Sequence, residues 1–381
     1  MMRAMKVFLA VSGLAIVWVS VSMEAGSLRM EAGFLDPAQS SVSEPWPDAT
    51  TLQDRRRSAQ NRLLFASAEP LAFTLEADFR AVQGDRDPKS TKTFPAKMTF
   101  ANDDGSTVSI DLQIRTRGHS RRLRQTCDFA PLRLEFPKDS TRRTVFDGHG
   151  PIKLGTHCRS VNEFEQYVLR EYTAYRIYNL LTPRSFRARL AKATYVDGRN
   201  QKPITTRYAM FIEDDDDVAK RLEGRITERM GLIFRHVDAE TLTIMTLFEY
   251  MIGNTDMSIN KQHNVRIVET PAGTFHPVPY DFDYSGLVDA AYAIPNKELG
   301  IGSVRERLYR GPCKTPAELE PFFERIRNAK ADVMALYDSL FDLSAGYRRG
   351  AKSYLEQFYR VLERPGDVRR ALIDPCVKAG M

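Results

Sequence analysis

Most of what this chain discloses lies in Gly253-Asn254-Thr255-Asp256-Met257-Ser258, then His263-Asn264, then Pro279-Tyr280-Asp281-Phe282-Asp283-Tyr284-Ser285-Gly286. An acid, an amide and two further acids, Asp256 to Asp283, fall within 28 residues. Residues 264–269 and 274–279 read as the two strands of a hairpin that turns at Pro271-Ala272-Gly273. Carboxylates and an Asn carbonyl are hard oxygen donors. Mg²⁺ takes few such ligands from a protein, because it keeps waters and substrate phosphates in its shell. A carboxylate, an amide and a second carboxylate beyond a strand therefore suit a Mg²⁺-phosphate site.

The flanking sequence gives the framework. Residues 239–252 carry Leu242, Met245, Leu247 and Met251 on a helical pattern that delivers the chain to Gly253. Residues 162–181 predict another helix, with Phe164, Tyr167, Val168, Tyr172, Tyr175, Ile177 and Leu180 on its apolar face and Pro183 beyond its end. Strands are predicted over 71–79, 97–100, 108–117, 132–136, 152–156, 187–196 and 205–213. Asp214 to Asp217 begin a short helix, where acids favour the positive end of the helix dipole. From Pro316 the pattern is helical, over 316–342, 345–363 and 366–373. The expectation is an α+β, two-lobed arrangement with a sheet-rich N-lobe over 67–213 and a helical C-lobe over 214–381.

Arg3 and Lys6 precede an apolar run from Val7 to Val21, and the small residues Ser20, Ser22 and Ala25 at and beyond its end offer cleavage-site positions. This predicts a signal peptide over 1–25 and export to a periplasmic or extracellular space, with an uncleaved anchor as the alternative. Residues 26–66, rich in Ser, Pro, Ala and charge, read as a disordered linker. The four cysteines Cys127, Cys158, Cys313 and Cys376 then predict two disulfides, and sequence proximity favours Cys127–Cys158 and Cys313–Cys376. No CxxC or His spacing points to zinc. The net charge of +6 is spread over 55 basic and 49 acidic residues, which suits an anionic ligand without implying nucleic acid.

Three separated segments resemble the spore-coat CotH kinase-like family. Arg115-Thr116-Arg117-Gly118-His119-Ser120-Arg121 is similar to its RGxSR loop. Tyr208 to Asp214 is similar to its strand that ends in Glu before the hinge. The stretch from Asn254 to Asp283 is similar to its catalytic and metal loops. The resemblance covers roughly residues 70–345 and implies an atypical protein-kinase-like fold using Mg²⁺ and ATP. It implies Asp256 as the catalytic acid that takes the proton of an attacking hydroxyl. It implies Asn264, Asp281 and Asp283 as metal ligands, and Arg117, Gly118, Ser120, Arg121 and Glu213 as nucleotide-binding residues. Asn264 follows Asp256 by eight positions, a gap of CotH or HipA type. The family's Lys just after the RGxSR loop is absent, which leaves Arg133 or Lys153 to take its place. The expected activity is phosphoryl transfer to a hydroxyl-bearing acceptor, such as a protein Ser or Thr. The alternative is a catalytically inactive, pseudokinase-like envelope binding protein, and a third reading is nucleotidyl transfer by the same acids.

Overall fold

The computed structural model describes residues 44–378 except residue 103, together with the backbone of three strands nearer the N-terminus. Those strands, β1 (Val7–Phe8), β2 (Val17–Glu24) and β3 (Ser27–Phe34), pair antiparallel in the order β1-β2-β3 within a unit that spans residues 1–48. The charged start and the centre of the expected signal peptide, residues 1–6 and 9–16, lie outside the described residues. The second unit begins at Ala49 and contains the candidate site.

Seven strands of this unit close into a barrel. They are β4 (Leu71–Ala77), β5 (Phe94–Ala101), β6 (Thr107–Thr116), β7 (Leu132–Glu135), β8 (Ile152–Gly155), β9 (Ala188–Asp197) and β10 (Lys202–Ile212). The order around the barrel is β10-β8-β7-β6-β5-β4-β9, and β9 pairs with β10 to close it. All neighbours are antiparallel except β4 and β9, which run parallel, with Leu71 opposite Ala191. That parallel pair needs a long crossover, and the chain from β5 through β8 and the next helix supplies it. Alternate side chains on each strand point into one core: Phe73, Leu75, Met98, Ile114, Leu134, Leu154 and Phe211 among them. Each such burial stabilises by roughly 1.5–3 kcal/mol.

A second core carries the helices. α1 (Ala49–Gln60) packs against the helix at residues 215–221, whereas the short α2 (Phe79–Gly84) adds Phe79 and Val82 to the barrel core. α3 (Asn162–Leu181) packs against β9 and β10. α4 (Asp215–Arg221) is capped by the Asp214 side chain. α5 (Ala239–Ile252) is capped by Asp238 and is buried on nearly every face. A small sheet of β11 (Arg225–Ile226), β12 (Val265–Glu269) and β13 (Phe275–Pro279) lies beside it. α6 (Pro316–Asn328), α7 (Lys330–Ser339), α8 (Ala345–Glu363) and α9 (Pro365–Val368) complete the layer. Cys127–Cys158 and Cys313–Cys376 are the two disulfides. They fit an exported protein. Among the described residues no helix is long and apolar enough to cross a membrane.

Two expectations change. The two-lobed kinase-like fold with an open N-terminal sheet is overturned, because the sheet closes on itself through β9 and β10. A strand with one buried face shows the same alternation in an open sheet and in a barrel, so the local pattern carries no sign of closure. Within the stretch read as a linker the chain forms α1. The segment is tied to the rest of the unit: just beyond α1 Arg62 grips Asp217, and Arg187 donates to the Ala59 and Gln60 carbonyls at the end of the helix.

Candidate functional site

Three loops meet in a cleft of about 390 Å³. The first follows β6. Arg117 N–H donates to Pro131 O at 2.8 Å, and Gly118 turns the chain with φ +88°, a conformation that favours glycine. Ser120–Arg122 form a single tight turn. Behind it Arg122 is buried and meets Asp85 at 3.3 Å, while Arg86 donates to the Arg122, Cys127 and Asp128 carbonyls.

The second loop leaves α5 at Gly253, whose φ of +68° ends the helix. A Cβ at Gly253 would sit 2.1 Å from the Tyr354 hydroxyl, so close approach as well as conformation calls for glycine. Asn254 is buried, and its Oδ1 accepts the Asp256 N–H at 3.1 Å. Arg310 donates to the Thr255 and Met257 carbonyls at 2.5 and 3.1 Å, which holds the backbone on both sides of Asp256.

The third loop begins where β13 ends. Val265 lies opposite Pro279, and Tyr280 N–H donates to Asn264 O at 2.9 Å. This register sets Asn264 and Asp281 at the same end of the ribbon. Both have left-handed backbones, with φ of +53° and +64°, which Asn and Asp tolerate better than most side chains. Asp281 N–H donates to the Tyr175 hydroxyl at 2.9 Å. Phe282 is fully buried between Tyr175 and Phe248, with ring centroids 4.7 and 5.2 Å away, and so fixes the acids on either side of it.

Asp256, Asn264, Asp281 and Asp283 therefore line the cleft together with Arg117, Gly118, Ser120 and Arg121. Asn264 Nδ2 donates to the Asp256 carbonyl and carboxylate at 2.8 and 3.1 Å, and His263 Nε2 meets the other carboxylate oxygen at 3.1 Å. The hydrogen bond to Asp256 holds the His263 pKa above its ordinary value. Among the described residues the Asp281 carboxylate and the Arg117 guanidinium each lack a hydrogen-bond or ion-pair partner, so both face the cleft uncommitted. An amide oxygen and a free carboxylate are a donor set that suits Mg²⁺ completed by water and phosphate. No cluster of three or more His, Cys, Asp or Glu suited to a metal ion occurs among the described residues.

Asp283 stands apart from the other acids. Its Oδ2 accepts from Arg121 at 3.3 Å and from the Tyr292 hydroxyl at 3.1 Å, and Arg121 also reaches Glu171 of α3 at 3.8 Å. Burial, then the neighbouring acids, push the pKa values of Asp283 and Glu171 up, and Arg121 opposes this. Glu171 was not singled out in the sequence. The available signal was an acid among the apolar positions of α3, between Val168 and Tyr175. Arg310 gave no signal.

Three of the expected nucleotide contacts are not among the residues that line this cleft. Glu213 is fully buried and held by Arg187 and Arg221 through several hydrogen bonds. Arg133 faces Glu135 and Asp214 at 4.0 and 3.6 Å. Lys153 is buried, pairs with Asp215 and sits over the Phe186 and Tyr280 rings at 5.1 and 5.2 Å. Burial lowers its pKa, with the Asp215 charge opposing. Arg117, unlike Arg133 and Lys153, is among the residues that line the cleft. No protein-family model matches this chain, and no curated protein matches it.

Proposed function

We propose that the cleft binds Mg²⁺ with a nucleoside triphosphate such as ATP and transfers the terminal phosphoryl group to a hydroxyl-bearing acceptor. The observation that carries this reading is the meeting of Asp256, Asn264 and Asp281 with the Arg117–Arg121 loop in one cleft. The reading keeps the chemistry that the CotH-like motifs suggest and none of the fold. Asn264 Oδ1 and the Asp281 carboxylate would hold the cation, which when bound supplies charge neutralisation to the phosphates. Arg117 lies where an anionic phosphate chain would be gripped, and the Gly118 backbone permits close approach. Asp256 is held by Asn264 and His263 with part of its carboxylate open to solvent, as an acceptor of the hydroxyl proton needs.

Calorimetric titration of ATP into the full chain, with and without Mg²⁺, tests the reading. Binding that requires Mg²⁺ and is lost in Asp281→Asn is expected, and absence of Mg²⁺-dependent binding overturns it. The mass of a hydroxyl peptide after incubation separates phosphoryl from nucleotidyl transfer. A second reading, a catalytically silent binding protein, is favoured by the engagement of Lys153 with Asp215. It predicts nucleotide binding without any change in acceptor mass.

A further inference from the structure

Sites that carry phosphoryl transfer often hold two divalent cations, with paired acids to receive them. Asp281 and Asp283 look like such a pair in sequence, but their surroundings differ. Asp281 is uncommitted. Asp283 has only 6% of its side chain exposed, and its Oδ2 already takes hydrogen bonds from Arg121 and Tyr292. The Arg121 side chain is itself nearly nine-tenths covered, at 11% exposure, and lies between Asp283 and Glu171 of α3, 5% exposed. A guanidinium keeps its charge at every working pH.

The geometry points to Arg121 as the permanent occupant of the place a second divalent cation would take, so that the cleft holds one cation, at Asn264 and Asp281. This inference rests on the Mg²⁺-nucleotide reading above and gives Asp283 a different role from the metal ligand that sequence suggested. Asp283 is a positioning residue: with Glu171 and Tyr292 it orients Arg121. A divalent ion bridging Asp281 and Asp283 would meet a fixed positive charge already bonded to the same carboxylate. Arg121 cannot be displaced cheaply, because leaving would strand Glu171 and Asp283 as buried acids without a cation.

The test is a count of Mn²⁺ per chain by electron paramagnetic resonance, at pH 8, on full-length protein saturated with a non-hydrolysable ATP analogue. One Mn²⁺ is expected in the parent chain and two in Arg121→Gln. Asp283→Asn should keep a single Mn²⁺ with affinity within about threefold of the parent, because Asp283 does not ligate it. Two Mn²⁺ in the parent chain, a count still at one in folded Arg121→Gln, or a tenfold loss of affinity in Asp283→Asn overturns the inference and leaves the nucleotide reading standing. No bound Mn²⁺ and no bound analogue overturns both. The count on the parent chain needs no variant, so the test survives if Arg121→Gln does not fold.

Discussion

The Asn264 side-chain amide spends its nitrogen on Asp256, reaching both the carbonyl at 2.8 Å and the carboxylate at 3.1 Å. This one contact fixes which way the amide points. Its oxygen is turned away from Asp256, so the residue proposed to ligate the cation also orients the proposed base. Asn264→Ala should therefore injure two functions together. Cation affinity should fall about 10–100-fold, and turnover should fall further than affinity alone explains. Titration of Mg²⁺ and single-turnover kinetics on the same variant check this.

Asp256→Asn should behave differently. It keeps the shape of the loop but cannot accept the hydroxyl proton. Transfer should drop by about 10²–10⁴-fold, while Mg²⁺-dependent nucleotide affinity stays within a few-fold of the parent. Equal losses in binding and turnover would argue against a base at this position.

Lys153→Met separates structure from function. The ammonium is buried against Asp215, and Asp215 keeps a second partner in Arg266 at 2.9 Å. We expect a loss of about 2 kcal/mol in denaturant unfolding with nucleotide affinity little changed. A large loss of affinity in a stable Lys153→Met protein would return Lys153 to the site.

Much of this was legible in the sequence, and what was not has identifiable reasons. The hairpin over β12 and β13 shows in its two short strands and in the turn at Pro271-Ala272-Gly273, and it alone implies that Asn264 and Asp281 share one end. The helices at Asn162–Leu181 and Ala239–Ile252 matched their expected bounds, because a long apolar stripe and clear stop signals (Pro183, Gly253) mark them. Both disulfides paired as proximity suggested. Barrel closure depends on β4 meeting β9 across more than a hundred residues, and no local pattern encodes that partner. Glu213 is expected as a nucleotide contact because it ends a strand that resembles the CotH-like strand before the hinge. Only the fold reveals that Arg187 and Arg221 saturate it. The charge of Lys153 and Arg133 is plain in the sequence, whereas their partners Asp215, Glu135 and Asp214 come from tertiary contacts.

Glu249 links stability to pH. It is buried in α5, close to Asn254, and neither of its carboxyl oxygens has a hydrogen-bond partner of normal geometry among the described residues. Burial pushes its pKa up to about 8. The native state thus holds this proton more tightly than the unfolded chain does. Its contribution is fully present below the ordinary carboxylate range and is lost as pH rises through about 8, at up to about 1.4 kcal/mol per pH unit. Glu249→Gln should flatten the decline of stability between pH 5 and pH 8, measured by urea unfolding across that range. An unchanged slope would show that Glu249 is not the group responsible.

Arg310→Met should slow turnover by up to about 10²-fold through misplacement of Asp256, with little effect on nucleotide affinity. Arg310 lies three residues before Cys313, whose disulfide partner Cys376 also ties down the C-terminal segment, and Val377 N–H donates to Gly311 O at 2.9 Å. The Cys313→Ser/Cys376→Ser double variant should shift kcat in the same direction but less far. A variant that loses affinity and keeps kcat would contradict this.

The closed barrel has a consequence for how the protein withstands its surroundings. All seven strands have neighbours on both sides, but β10 meets β8 only over residues 210–212 and β6 meets β7 only over residues 113–116, so the remaining lengths of β10 and β6 are the rows that another chain could extend. Strand addition would start at those two rows, with no need for β9 and β10 to part, so the length of β7 and β8 sets how much of the barrel is open to it.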